Sequence, residues 1–458
     1  MALVRLLPSQ AARLTGGAPP DPLGARLALL RGLRGPYVSD FTRRVRRLVV
    51  VASSSRGGSS MVTELLRHCD ALLHLRGEFN PFLRLAGLGF PDSGTGSDEL
   101  TAEHVHALGE DGRRVLDAEL ALDAGRPAGA IADDDEFALD AAWRFGIQWP
   151  ERHIETPRWM ATAHDTLHRL RRTPGSPRTA LPEPIGFLAA MLRIWGRPVD
   201  PWYYDLPRHT LPDLTGCRPP AGPPGTRVVE EPPFVLPQAW RRAREEDIRT
   251  KALVVKTPSN AYRMDFLRAL FPQARIMVLH LTRNPAAAIN GLYDGWRHHG
   301  FHAHEMPVPM SIRGYSDDRP LDRCWWKFDL PPGWQDMRDR SLMEVCAFQW
   351  RTSHQSVLAH RERLADEDYL RVRFEDLTGD PRMRVAQVLR ITRWLAVRPG
   401  DALLHAAHTG IPPVVATAPP APARWRARAQ AIRAAVDAVD GTRELAANLG
   451  YRTERRWT

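Results

Sequence analysis

Residues 48–69 read LVVVASSSRGGSSMVTELLRHC, and this stretch decides the fold. Leu48 to Ala52 is a continuous apolar run, valine at its three central positions, of the kind buried on both faces of a parallel sheet. Small residues follow at once, from Ser53 to Ser60, and then MVTELLRHC has helical spacing. Strand, small-residue loop, helix is a phosphate-loop arrangement. Its glycines let the backbone bend so that successive N–H groups, reinforced by the helix dipole, converge on one anion.

Working outward, the segment ALLHL (71–75) leads into Arg76, Gly77, Glu78, Phe79 and Asn80. Alternation of strand and helix resumes with ALVVK (252–256), a helix from about Tyr262 to Phe271, the strand RIMVLHL (275–281) and another helix start after Arg283, Asn284 and Pro285. YLRVRF (369–374) reads as a further strand, EDL and a turn at Gly379 to Pro381 follow, and an Ala- and Arg-rich helix closes the chain near 422–448. The expected fold is α/β, a parallel central sheet flanked by helices, of P-loop nucleotide-binding type with a long helical and loop insertion. Residues 1–46 read as an N-terminal extension and 47–458 as one domain. Its nucleotide-binding motifs lie in 47–90 and 250–450, and 91–250 is an insertion or lid rich in Pro (171–188, 218–237) and in aromatics such as Trp202, Tyr203 and Tyr204.

Composition narrows the class. At 458 residues with 43% apolar and 25% charged side chains, the chain is globular rather than disordered or fibrous. The net charge of +10 favours anionic partners, but basic residues are interleaved with acidic ones instead of concentrated, so nucleic acid is not an expected partner. Four scattered cysteines without a CxxC pair indicate neither a disulfide framework nor a zinc knuckle. No apolar stretch reaches the roughly 20 residues of a membrane span, and no leader pattern opens the chain, so a cytoplasmic location is expected. Only three of the 63 basic residues are Lys: Lys251, Lys256 and Lys327. A chain that uses Arg almost everywhere keeps Lys where a compact ammonium is needed, which singles out Lys256.

The loop departs from the triphosphate pattern GxxxxGK[ST]: Arg56 precedes the Gly pair and no Lys stands before Ser59. That disfavours a magnesium-dependent phosphotransferase, the first alternative; a non-catalytic nucleotide-binding protein is the second. SSSRGGSSM, KTPSN (256–260), FPQARIMVLHLTRNP (271–285) and YLRVRFEDLTGDP (369–381), in that order, resemble the sulfotransferases that use 3′-phosphoadenosine 5′-phosphosulfate, over about 47–90 and 250–450.

The resemblance implies transfer of a sulfuryl group to a hydroxyl, or an amine, of an organic acceptor: a small molecule, glycan or lipid. It implies that Arg56, Gly57, Gly58, Ser59 and Ser60 hold the phosphosulfate and that Arg283 holds the 3′-phosphate. Where the family places a Ser eight residues after that Arg, this chain has Gly291, preceded by Asn290, which is the expected substitute ligand. The Trp often found after the loop is Met61. Glu78 matches the family's catalytic base, and Lys256 its cation on the bridging oxygen. No metal is expected. His68 and His74 are weaker base candidates, and His298, His302 and Glu305 read as a loop rather than as metal ligands. Glu375 and Asp376 are expected to cap the helix that follows them. The insertion covers an acceptor or forms a homo-oligomer contact.

Overall fold

The computed structural model describes residues 22–35, 40–148, 153–172, 184–193, 238–298, 301–318, 323–414, 416–417 and 419–452. Among them, seven strands form one sheet: β1 (Arg47–Ala52), β2 (Leu72–His74), β3 (Gly125–Pro127), β4 (Trp240–Arg242), β5 (Ala252–Lys256), β6 (Arg275–Thr282) and β9 (Tyr369–Arg373), in the order β4-β3-β2-β5-β1-β6-β9. The five strands β2, β5, β1, β6 and β9 run parallel, while β3 and β4 are antiparallel at one edge. A separate two-stranded ribbon pairs β7 (Ala303–Glu305) with β8 (Trp325–Lys327).

The apolar run that opens the motif is the central strand. Because side chains alternate along a strand, Leu48, Val50 and Ala52 enter one buried cluster, while Val49 and Val51 enter another on the opposite face. The first cluster takes in Leu27 and Leu30 of the Pro22–Leu33 helix and Phe137 and Trp143 of the Asp134–Gln148 helix. The second takes in Val62, Leu65 and Leu66 of the Ser59–Leu66 helix. A third apolar cluster joins the Pro285–Trp296 and Leu342–Arg361 helices to the ribbon and to the helices Ala429–Ala438 and Thr442–Asn448.

Residues 91–250 do not stand apart from the sheet: they supply β3 and β4 and much of the first cluster. The closing helix of the sequence reading is instead two helices, Ala429–Ala438 and Thr442–Asn448, and Gly441, with φ 75°, is the N-cap of the second. Of the Pro-rich connector 171–188, residues 173–183 lie outside the described residues while 184–188 belong to the Pro184–Leu192 helix; the connector 218–237, and Trp202, Tyr203 and Tyr204, lie outside the described residues. No helix among the described residues is long and apolar enough to cross a membrane.

Topology places the site. From β1 the chain crosses to β2, leaving the gap that β5 fills, and from β5 it crosses over β1 to β6. The two crossovers run toward opposite edges of the sheet, and in such sheets the crevice opens beyond the carboxyl ends of the strands at that switch point. Ala52, Lys256 and Thr282, the last residues of β1, β5 and β6, therefore deliver their following loops to one edge.

Candidate functional site

The loop after β1 is a tight cradle. Gly57 N–H donates to the Ser54 carbonyl at 3.0 Å, and a Cβ on Gly57 would lie 1.9 Å from Ser53 Oγ. Gly58 has φ 98°, and a Cβ there would lie 2.2 Å from the Phe374 ring. Only glycine satisfies both demands. The Ser59–Leu66 helix begins directly after Gly58, so its first N–H groups face the cradle. The Ser53 and Ser54 hydroxyls are buried without a hydrogen-bond partner, and Ser55 instead donates to the Asp329 carboxylate. Ser59 is buried and Ser60 half-buried at the start of the helix.

Two guanidinium groups meet beside this loop. Arg283, the first residue after β6, donates from Nη1 to the carbonyl oxygen of Arg56 at 2.8 Å. Arg56 holds φ 60°, and its guanidinium lies over the Phe301 ring at 4.7 Å; that of Arg283 lies over Phe374 at 4.7 Å. Burial pushes the Arg283 pKa down to about 10, and the neighbouring Arg56 cation adds to the shift while Glu375 opposes it. Two cations on aromatic plates at the mouth of a glycine cradle make a site that a multiply charged anion would relieve. Gly291 faces both, since a Cβ there would stand 3.3 Å from Arg56 Cβ, a tight contact, and 4.0 Å from Arg283 Nη1, an ordinary one.

Asn290 is engaged elsewhere. Its Nδ2 donates to Asp294 at 3.2 Å and its Oδ1 accepts from Arg428 at 2.6 Å, in a cluster where Arg424 and Arg428 both pair with Asp294 at 2.9 Å. Glu375 caps a different helix from the one expected. Its Oε1 accepts the N–H of Asn284 at 2.7 Å and its Oε2 the Tyr451 hydroxyl at 2.9 Å, so it anchors the residue next to Arg283.

On the β5 side, the Lys256 ammonium contacts the Glu78 carboxylate, and both side chains are only 10% exposed. Glu78 lies in the turn between β2 and the Asn80–Leu85 helix, and Lys256 is the last residue of β5. An acid-base pair of this kind offers a proton acceptor next to a cation, the two functions that transfer to a hydroxyl requires.

Buried polar groups brace these loops. Asp98 accepts Ser259 Oγ at 2.6 Å and Leu330 N–H at 2.9 Å, and pairs with Arg263 at 3.2 Å; Arg263 in turn donates to Asn80. Asp329 accepts Tyr262 at 2.8 Å, and burial raises its pKa. These braces are absent from the sequence reading because their partners are distant along the chain, 274 positions for Ser55 and Asp329. Phe301 and Phe374 were missed for the same reason.

The other candidates fall outside the site. His74 is fully buried, and burial drives its pKa down to about 3, with the Arg67 charge adding to the shift. His68 is exposed just beyond the far end of the Ser59–Leu66 helix. His302 contacts Arg84 at 2.9 Å, and the His298 ring packs on Phe301. Among the described residues, no group of three or more His, Cys, Asp or Glu side chains is arranged to hold a metal ion.

No family model matches the chain, and no curated protein matches it in sequence. Among solved structures it is similar to the sulfotransferase domain from the curacin biosynthetic pathway, at 13% identity over 89% of this chain and 99% of that one, with a TM-score of 0.36. It is also similar to the sulfotransferase domain of the Synechococcus PCC 7002 olefin synthase (14% identity, 86% and 91% covered, TM-score 0.33). A third is the sulfotransferase STF9 from Mycobacterium avium (13% identity, 91% and 81% covered, TM-score 0.33). At these values no residue role passes from those proteins to this chain.

Proposed function

We propose that the chain is a sulfotransferase, moving a sulfuryl group from 3′-phosphoadenosine 5′-phosphosulfate to a hydroxyl of an organic acceptor. The reading is carried by the Arg56–Arg283 juxtaposition at a glycine cradle that lacks the triphosphate-type Lys. A donor anionic at both ends suits this charge layout. Its 5′-phosphosulfate would lie against Gly57, Gly58, Ser59, Ser60 and the Arg56 guanidinium, where the buried Ser53 and Ser54 hydroxyls offer further donors. Its 3′-phosphate would take the Arg283 fork, a geometry suited to bidentate phosphate contact.

In the proposed step the acceptor O–H proton passes to the Glu78 carboxylate as the acceptor oxygen bonds to sulfur. The bond from sulfur to the bridging oxygen breaks, its electron pair leaves with the adenosine bisphosphate, and the Lys256 ammonium neutralises that oxygen. Arg and Lys supply the positive charge this leaving group needs. Asn290 is assigned no direct role, because its amide is already divided between Asp294 and Arg428.

Calorimetric titration with adenosine 3′,5′-bisphosphate against AMP tests the reading. Binding of the bisphosphate at least tenfold tighter than AMP is the expected result. Equal, weak binding of both removes the proposal.

A further inference from the structure

The turn bearing Glu78 and the strand bearing Lys256 are joined through one buried hydroxyl. Thr257 Oγ1 accepts the N–H of Phe79 at 2.8 Å and donates to the carbonyl oxygen of Lys256 at 2.7 Å. A hydroxyl carries one proton and two lone pairs, so it makes both bonds at once. The parallel pairing of β2 with β5 ends at His74 opposite Val254. Beyond that point β5 continues to Lys256 while the chain 75–79 turns away. Thr257 thus ties the two backbones where the strand ladder no longer does.

The rear of the same turn is held by charge. Arg67 Nη2 donates to the Leu75 carbonyl at 2.9 Å and also to that of Arg76. Arg76 N–H donates to Asp123 at 2.9 Å, and its guanidinium pairs with Asp140. With the rear fixed and Asn80 held by Arg263, the Thr257 hydroxyl ties the backbone next to Glu78 to the end of β5.

We propose that Thr257 is a positioning residue: its hydroxyl holds the Glu78 carboxylate and the Lys256 ammonium in contact. The importance of that contact for turnover rests on the sulfotransferase reading; the contact itself does not. Val keeps the size of Thr but makes neither bond, whereas Ser makes both.

The scarcity of lysine supplies the readout. Reductive methylation of the full chain with ¹³C-formaldehyde labels lysine ammonium groups, of which the sequence has three, and the Lys256 signal is identified by its loss in K256R. In T257V the Lys256 chemical shift at pH 7.5 is expected to move toward its position in E78Q, while the Lys251 signal stays in place. T257S is expected to keep the wild-type position. T257A, which removes the hydroxyl without placing a methyl in the buried site, is the second variant and should move the signal as T257V does. An unmoved Lys256 signal in folded T257V or T257A, or a T257S signal displaced as far as theirs, overturns the proposal. Failure of the wild type to prefer adenosine bisphosphate over AMP would instead remove the sulfotransferase reading and leave this result intact.

Discussion

Arg283 Nη1 sits 2.8 Å from the carbonyl oxygen of Arg56, although 227 positions separate the two residues along the chain. The bond makes one unit of the loop after β1 and the residue after β6, with two guanidinium groups at its rim.

The first prediction follows from that unit. Replacing Arg283 by Lys keeps the charge but removes the fork that can hold phosphate with two parallel bonds. Hydrogen bonds to charged groups are worth about 1.5–3 kcal/mol. Adenosine bisphosphate affinity should therefore fall about 10- to 100-fold in R283K, with AMP affinity little changed, as read by calorimetry.

For Glu78, the isosteric E78Q variant should lower turnover by about 10²- to 10⁴-fold, the usual contribution of a general base, with bisphosphate affinity retained. The assay is mass spectrometry of an extract incubated with donor and enzyme, following the gain of one SO₃ unit. Full activity in E78Q would displace Glu78 as the base.

Gly58 joins a left-handed φ of 98° to a 2.2 Å clash that any Cβ would make with Phe374. G58A should cost about 2–4 kcal/mol from backbone strain and overpacking together, seen as a lowered urea midpoint. The F374L change should recover part of the loss, since it relieves the clash and leaves the φ penalty.

Acid should destabilise the protein between about pH 6.5 and 3. His74 and His354 are buried with pKa values lowered to about 3 from 6.5, and His280 is lowered by burial and by His354. Once pH falls below 6.5 the unfolded chain binds protons that the folded chain refuses. Stability present above pH 6.5 is then lost at about 1.4 kcal/mol per pH unit for each such histidine. Urea midpoints at pH 7.5, 6.0 and 5.0 measure the slope. H74L should flatten it, because leucine carries no group that the unfolded chain can protonate.

Asp140 lies among three arginines, accepting from Arg34 at 2.9 Å and Arg144 at 2.8 Å and pairing with Arg76. Both partners in each pair are almost wholly buried, and these cations hold the Asp140 carboxyl well below the usual carboxylate range. Removing one partner of a buried ion network leaves the others uncompensated, at about 3–5 kcal/mol. D140N should lower the thermal midpoint by several degrees. A neutral effect would show that water reaches the cluster.

The glycine cradle and its neighbours were legible because each is a local statement. An apolar run of five residues with three valines at its centre, a glycine pair and a helical period lie within 22 consecutive positions, so backbone preference and side-chain alternation specify them together. The edge strands β3 and β4 were not legible. Each has three residues, and one contains proline, too short for a period-2 signal against the surrounding helices. Glu375 was assigned to the wrong helix because capping chemistry is visible in sequence while the choice of N–H is made by packing between β9 and β6.

By itself the sequence determined the parallel α/β sheet, the glycine-rich bend after its central strand, and the unusual retention of lysine at the end of β5. Tertiary structure alone decided that Glu78 meets Lys256, that the Thr257 hydroxyl binds Phe79 N–H and the Lys256 carbonyl, and that Asn290 is taken up by Arg428 and Asp294. Backbone preferences are set by residues a few positions apart. Hydrogen-bond partners, by contrast, are chosen when segments more than a hundred positions apart are packed into one core and each buried donor must find an acceptor.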